Sequence, residues 1–157
     1  MSDQNALQII VAPHPDDEII GCYEYLNKTN IIIYDGTTPP KRKEEALTLK
    51  SHISTHQLFL ASIPSPLLNK KNKFFIPDPI YETHPLHRKW GSIGEQMARA
   101  GFNIIFYNTI MNAPYIHEVE ENENKLSLLN KVYPSQMNLW ENDHRYFLFE
   151  GYSKWIF

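Results

Sequence analysis

The sequence predicts an α/β domain: a three-layer α/β/α sandwich around a mostly parallel, Rossmann-like sheet, built from the whole chain, 1-157. Three observations predict it. Short apolar runs of strand length, such as Leu7 to Ala12, Asn30 to Tyr34 and Asn103 to Tyr107, alternate with stretches of helical periodicity. The runs are near-continuous rather than alternating, the pattern of strands buried on both faces of a parallel sheet. A length of 157 residues with 42% hydrophobic content supplies one core and not two. Strands alternating with helices through right-handed crossovers then place helices on both sheet faces.

The elements follow in order. Leu7 to Ala12 is the first strand, and residues 16 to 28 form a helix with acids in its first turn, where they suit the dipole. Asn30 to Tyr34 is the second strand, closed by the turn signal Asp35-Gly36. Pro40 to about Thr55 is a helix, with proline near its start and Ala46, Leu49 and Ile53 at helical spacing. His56 to Ile63 is the third strand. Residues 64 to 80 hold four prolines and a basic run, and read as a long surface loop with a short extended piece at Phe74 to Ile76. A helix from Pro85 to Ala100 ends at Gly101, although Gly91 and Gly94 inside it argue against it. Asn103 to Tyr107 is a further strand, Tyr115 to Val119 a weaker one and Asn124 to Val132 a helix. Residues 145 to 152, R-Y-F-L-F-E-G-Y, read as a last strand.

Composition excludes several classes. No apolar run approaches the ~18 residues of a membrane span, and M-S-D-Q-N-A lacks the basic and apolar regions of a signal peptide. One cysteine, Cys22, excludes an internal disulfide framework and fits a reducing, cytoplasmic compartment. A net charge of -3 gives no global basic field for nucleic acid, and the runs Lys41-Arg42-Lys43 and Lys70-Lys71-Asn72-Lys73 suit solvated faces.

Chemistry concentrates at V-A-P-H-P-D-D-E-I-I-G, residues 11 to 21, directly after the first strand. In parallel α/β sheets, ligands bind beyond the carboxyl ends of the strands. His14 offers an imidazole nitrogen, Asp16 and Asp17 offer carboxylate oxygens, and Pro15 stiffens the turn. Asp-Asp-Glu at a helix start equally suits capping and the dipole, so on this stretch alone the two readings stand level. The second cluster is T-H-P-L-H, residues 83 to 87. Its histidines, three apart around a helix start, lie on one side, with Pro85 at the first helical position and Thr83 or His84 as cap. Together the clusters are more specific. A catalytic zinc site uses three protein ligands and leaves a position for water. His14, one aspartate and one histidine of the pair supply that count, and an aspartate and a histidine remain for base and donor. His52 and His56 read as surface or capping groups, His117 as structural, His144 as part of a polar turn and Cys22 as a packing thiol.

P-H-P-D-D-E followed by H-P-L-H resembles the LmbE/PIG-L family of zinc-dependent N-acetylglucosaminyl deacetylases, whose pattern is A-H-P-D-D-E and a later H-x-x-H. R-K-E-E, residues 42 to 45, resembles the family's R-x-x-E, and K-L-S-L-L-N-K-V-Y-P-S-Q, residues 125 to 136, its late K-x-x-L with a Ser-Gln pair. The resemblance implies a Zn2+ cofactor held by His14, Asp17 and His87, with Asp16 as general base. It implies that His84 stabilises the oxyanion and protonates the leaving amine, and that Arg42 contacts the sugar of an N-acetylated amino-sugar substrate, free or in a glycoconjugate. Glu18 stays a first-turn helix carboxylate. The chain departs from the pattern at Tyr23-Glu24, where many relatives carry Gly-Gly, at Leu86, where Asp or Asn is frequent, and at Ser62 and Ser65, where an acid often contacts sugar hydroxyls. Two other readings compete. A non-catalytic carbohydrate-binding relative would not need Asp16 and His84. A magnesium-dependent receiver-like domain would need an aspartate after the third strand, where Ala61-Ser62-Ile63 stands.

Overall fold

The computed structural model describes residues 6–157. The stretch M-S-D-Q-N, on which the expectation of no signal peptide partly rests, lies outside the described residues. Among the described residues the chain is mixed α/β, with six α-helices and a seven-stranded, mostly parallel sheet. The strands are β1 (Gln8–Ala12), β2 (Ile31–Asp35), β3 (His56–Leu60), β4 (Lys73–Pro77), β5 (Asn103–Tyr107), β6 (Ile116–Glu118) and β7 (Phe149–Ser153). The helices are α1 (Asp17–Leu26), α2 (Pro40–Leu47), α3 (Pro85–Arg99), α4 (Asn122–Val132), α5 (Met137–Asn142) and α6 (Arg145–Leu148). The order across the sheet is β3-β2-β1-β4-β5-β7-β6. The first five strands run parallel, and β7 pairs antiparallel with both β5 and β6. Among the described residues no helix is long and apolar enough to cross a membrane.

Strand alternation divides the core in two. Ile10, Ala12, Ile32, Tyr34, Phe75 and Tyr107 join one buried cluster with Ile19, Leu26, Ala46, Leu129 and Trp140. Ile9, Val11, Ile33, Phe74, Ile76 and Phe106 join a second with Trp90 and Met97 of α3. Both faces of the central strands are therefore buried, which explains why their sequences are near-continuous apolar runs.

Four expectations are corrected. The extended piece expected at Phe74 to Ile76 within a surface loop at 64 to 80 is the core of β4, a central strand whose Phe74, Phe75 and Ile76 are buried between β1 and β5. The third strand stops at Leu60 and the second helix at Leu47, where a 3-10 turn, Thr48–Ser51, takes over. The expected last strand begins as helix α6, and only Phe149 onward pairs in the sheet. Met137–Asn142, for which no element was expected, is α5.

The glycines in α3 allow close packing. A Cβ on Gly91 would stand 2.8 Å from both the Pro77 carbonyl oxygen and Pro79 Cα, and one on Gly94 3.1 Å from Ile76 and Phe106 side-chain carbons. Their low helix propensity is offset because the helix lies directly against β4. Gly91→Ala is expected to destabilise the fold by about 1–3 kcal/mol in urea unfolding, since backbone must yield. Gly101 ends the region with φ +93°, a left-handed geometry that favours glycine.

Helix α1 is kinked at Cys22, whose backbone is not helical (φ −134°, ψ 24°). An ion pair is inserted at this point. Buried Glu150 of β7 accepts from Tyr23 N at 3.1 Å and Glu24 N at 3.2 Å, while Lys125 Nζ of α4 donates to the Ile20 carbonyl at 2.7 Å. Lys125 and Glu150 bond each other at 2.6 Å, both side chains fully buried. The kink follows from side chains entering the helix ladder.

Candidate metal centre

Topology brings the two sequence clusters together. Strand order reverses between the parallel neighbours β1 and β4: β1 leads through α1 to β2 on one side, and β4 leads through α3 to β5 on the other. Such a switch point opens a crevice at the carboxyl ends of the two strands. His14 to Asp17 follow β1 and His84 to His87 follow β4, so residues 73 apart in sequence meet there.

Three donor atoms converge. His14 Nδ1 lies 3.1 Å from His87 Nε2, His87 Nε2 lies 2.8 Å from Asp17 Oδ2, and His14 Nδ1 lies 3.5 Å from Asp17 Oδ2. Ligands held about 2.0–2.2 Å from a tetrahedral ion stand about 3.3–3.6 Å apart, so donors this close, in an N, O, N set, can converge on a metal ion. His14, Asp17 and His87 thus form a group that can hold one. Asp17 and His87 are buried, and His14 is part-exposed.

Electrostatics bind the group tightly. Burial works to raise the Asp17 carboxyl, but the His87 charge and the hydrogen bonds from His14 and His87 override it and hold it well below the usual range. Burial opposes the His87 imidazolium, but Asp17 and Glu82 outweigh that and push it up to about 10. Asp17 Oδ2 also accepts from His14 N at 2.9 Å, so this aspartate ties the turn it belongs to.

Asp16 takes a different position. It precedes the first helical residue at φ 117°, a left-handed conformation that Asp and Asn tolerate better than most residues, and its side chain makes no cap hydrogen bond. Capping, the rival explanation for this acid, is therefore not its use. Burial pushes its carboxyl well above the ordinary value, and the Asp17 charge adds to the effect. Arg42 of α2 directs Nη2 to the Pro15 carbonyl and lies 3.4 Å from Asp16 Oδ2. Glu45 sits 3.4 Å from Arg42 Nε and accepts from Ser135 N at 3.0 Å and Ser135 Oγ at 2.5 Å, so the R-K-E-E and Y-P-S-Q stretches meet in space. Arg42, His14, Thr37, Thr38, Pro39 and Leu86 border a cleft of about 320 Å³.

His84 is the cap of α3, its Nδ1 accepting from Leu86 N at 3.1 Å. A ring whose Nδ1 accepts carries its hydrogen on Nε2 when neutral. Burial, with His14 and His87 nearby, holds its pKa below the usual value. Its ring meets that of His14 edge-on, centroids 4.5 Å apart.

Two assignments change, and two residues emerge that the sequence did not flag. Glu18 is a first-turn acid but also a wholly buried tie: the Tyr34 and Tyr133 hydroxyls donate to it, and it accepts from Asp16 N at 2.9 Å. Burial pushes it up to about 7 against those hydrogen bonds. Asp35, read as a turn signal, is buried and accepts from Trp90 Nε1 at 2.9 Å and Thr37 Oγ1 at 2.5 Å, fixing the cleft rim. The residues not foreseen are Glu82 and Thr109, beneath His87. Single residues in two separate loops, they carry no spacing pattern. The other histidines lie apart from the centre: His52, His56 and His144 are exposed, and His117 bonds Glu24 at 2.5 Å. Cys22 is buried with a free thiol.

Comparisons with known proteins leave the family open. No family model matches the chain, and no solved structure matches it. The major capsid protein L1 of human papillomavirus 51 is 26% identical over 107 residues, 60% of this chain and 20% of that protein. The chain thus spans about a fifth of the length of the curated relative it matches. At that identity and coverage the likeness identifies no family.

Proposed function

We propose that this chain is a zinc-dependent N-deacetylase of the LmbE/PIG-L type, acting on an N-acetylated amino sugar, free or in a glycoconjugate. The observation that carries the reading is the convergence of His14 Nδ1, Asp17 Oδ2 and His87 Nε2 on one point. Zinc held there supplies Lewis-acid chemistry, lowering the pKa of a water ligand from ~15.7 to ~7. Asp16, raised in proton affinity by burial, is suited to take a proton from water. His84, with its hydrogen on Nε2, is suited to donate to a developing oxyanion. Arg42 borders a cleft of about 320 Å³, near the lower end of the range for small-molecule sites, which suits a sugar-sized group.

The three-layer sandwich belongs to the same reading, supported by the division of the core between a cluster with α3 and a cluster with α1, α2, α4 and α5. A reducing cytoplasm suits the free thiol of Cys22.

The test combines metal content with product release. About one zinc per chain is expected by elemental analysis, together with acetate release from an N-acetylglucosaminide. His87→Ala is expected to lose the metal, whereas His84→Ala keeps it and loses activity. Zinc bound without acetate release would favour the non-catalytic carbohydrate-binding reading. A wild type that takes up no transition metal would sink the metalloenzyme altogether.

A further inference from the structure

We infer that Glu82 is a positioning residue for the metal ligand His87, locking the ring so that only Nε2 faces the metal point. The inference rests on the metal-site part of the proposed function. Glu82 stands in the loop between β4 and α3, with 1% of its surface exposed. Its Oε1 contacts His87 Nδ1 at 2.5 Å and Thr109 Oγ1 at 2.6 Å, and its Oε2 accepts from Thr109 N at 2.7 Å. A carboxylate so buried is costly unless its acceptor positions are used. Here Thr109, just past β5, holds the carboxylate by two bonds, and the carboxylate holds His87.

The consequence lies in the ring's two nitrogens. A carboxylate fixed on Nδ1 keeps the hydrogen there and leaves Nε2 for a metal ion. Nε2 is the atom 2.8 Å from Asp17 Oδ2 and 3.1 Å from His14 Nδ1. Without Glu82, rotation about the Cβ–ring bond and exchange of tautomers would both be open to His87. Carboxylates behind ligating histidines raise ligand basicity and set ring orientation, and their loss costs about 10–100-fold in metal affinity.

The experiment uses the full chain and Zn2+ in chelator competition, with no acetylated substrate. Glu82→Gln is expected to bind Zn2+ about 10–100-fold more weakly. The His87 Nδ1–H resonance of the zinc-loaded protein is expected to move upfield as its acceptor changes from carboxylate to amide. Glu150→Gln, buried elsewhere, serves as control: it should lose stability and keep both zinc affinity and that resonance. If Glu82→Gln does not fold, Thr109→Val is read instead. It keeps the backbone donor, and a weaker zinc affinity with a shifted His87 signal is expected. Wild-type zinc affinity in Glu82→Gln, or in Thr109→Val where that variant is read, overturns the inference. A wild type that binds zinc and releases no acetate overturns only the deacetylase reading.

Discussion

Asp16→Asn is expected to lower acetate release by about 10²–10⁴-fold with zinc content unchanged, because the substitution removes a proton acceptor and no ligand. The variant is interpretable because asparagine shares the tolerance of aspartate for positive φ, so the φ of 117° at position 16 is kept. Alanine would fit that backbone less well and would confuse strain with chemistry. The bond from Asp16 N to Glu18 Oε1, at 2.9 Å, does not involve the substituted group. Steady-state assays with elemental analysis of the same sample check both halves. Wild-type turnover would remove Asp16 as base, and loss of zinc would make it a ligand.

Lys125→Met is expected to cost about 3–5 kcal/mol in urea unfolding at neutral pH, because it leaves the buried Glu150 carboxylate without its cation. Glu150 would keep the amides of Tyr23 and Glu24 and the Tyr152 hydroxyl. Three neutral donors do not replace an ammonium 2.6 Å away. Burial already raises Glu150 above its ordinary value of 4.5 in spite of Lys125, and loss of Lys125 raises it further. A carboxyl with a raised folded pKa binds its proton more tightly folded than unfolded. Stability of the variant therefore rises as pH falls from above that folded value toward 4.5, and the deficit against wild type narrows. A variant within 1 kcal/mol of wild type would show that the pair contributes little.

Much of this architecture was legible before any coordinates. Continuous apolar runs gave β1, β2 and β5, because a strand buried on both faces has no polar side to write. The same logic gave β4 only in part, as a short extended piece at Phe74 to Ile76 inside a surface loop. The strand's five residues are flanked by Pro64, Pro66 and Pro79 and the basic run at 70 to 73, so local composition outweighed the three buried residues at its centre. Sequence pattern failed at Arg145 to Leu148, where a four-residue helix is too short to show a period. In the candidate centre, donor types and spacing pointed to His14, one aspartate and one histidine of the pair, and the resemblance to the LmbE/PIG-L pattern implied that these are Asp17 and His87. Glu18 was misweighted because a first-turn carboxylate looks the same in sequence whether it faces water or two tyrosines. Lys125 and Glu150 could not be paired from sequence, since nothing local says that a charge from each will enter a kinked helix.

The reversal of strand order between β1 and β4 has a consequence for assembly. The segment up to β3 carries His14, Asp16, Asp17 and Arg42, and the segment from β4 onward carries Glu82, His84, His87 and Thr109. Neither half holds a complete ligand set, and the span from Ala61 to Asn72 is their covalent link between β3 and β4. If His14, Asp17 and His87 hold a metal ion, a triad divided in this way would work as a coincidence detector. It exists only when the two halves have docked along β1 and β4, so metal uptake would report the joining of that central seam rather than the folding of either half.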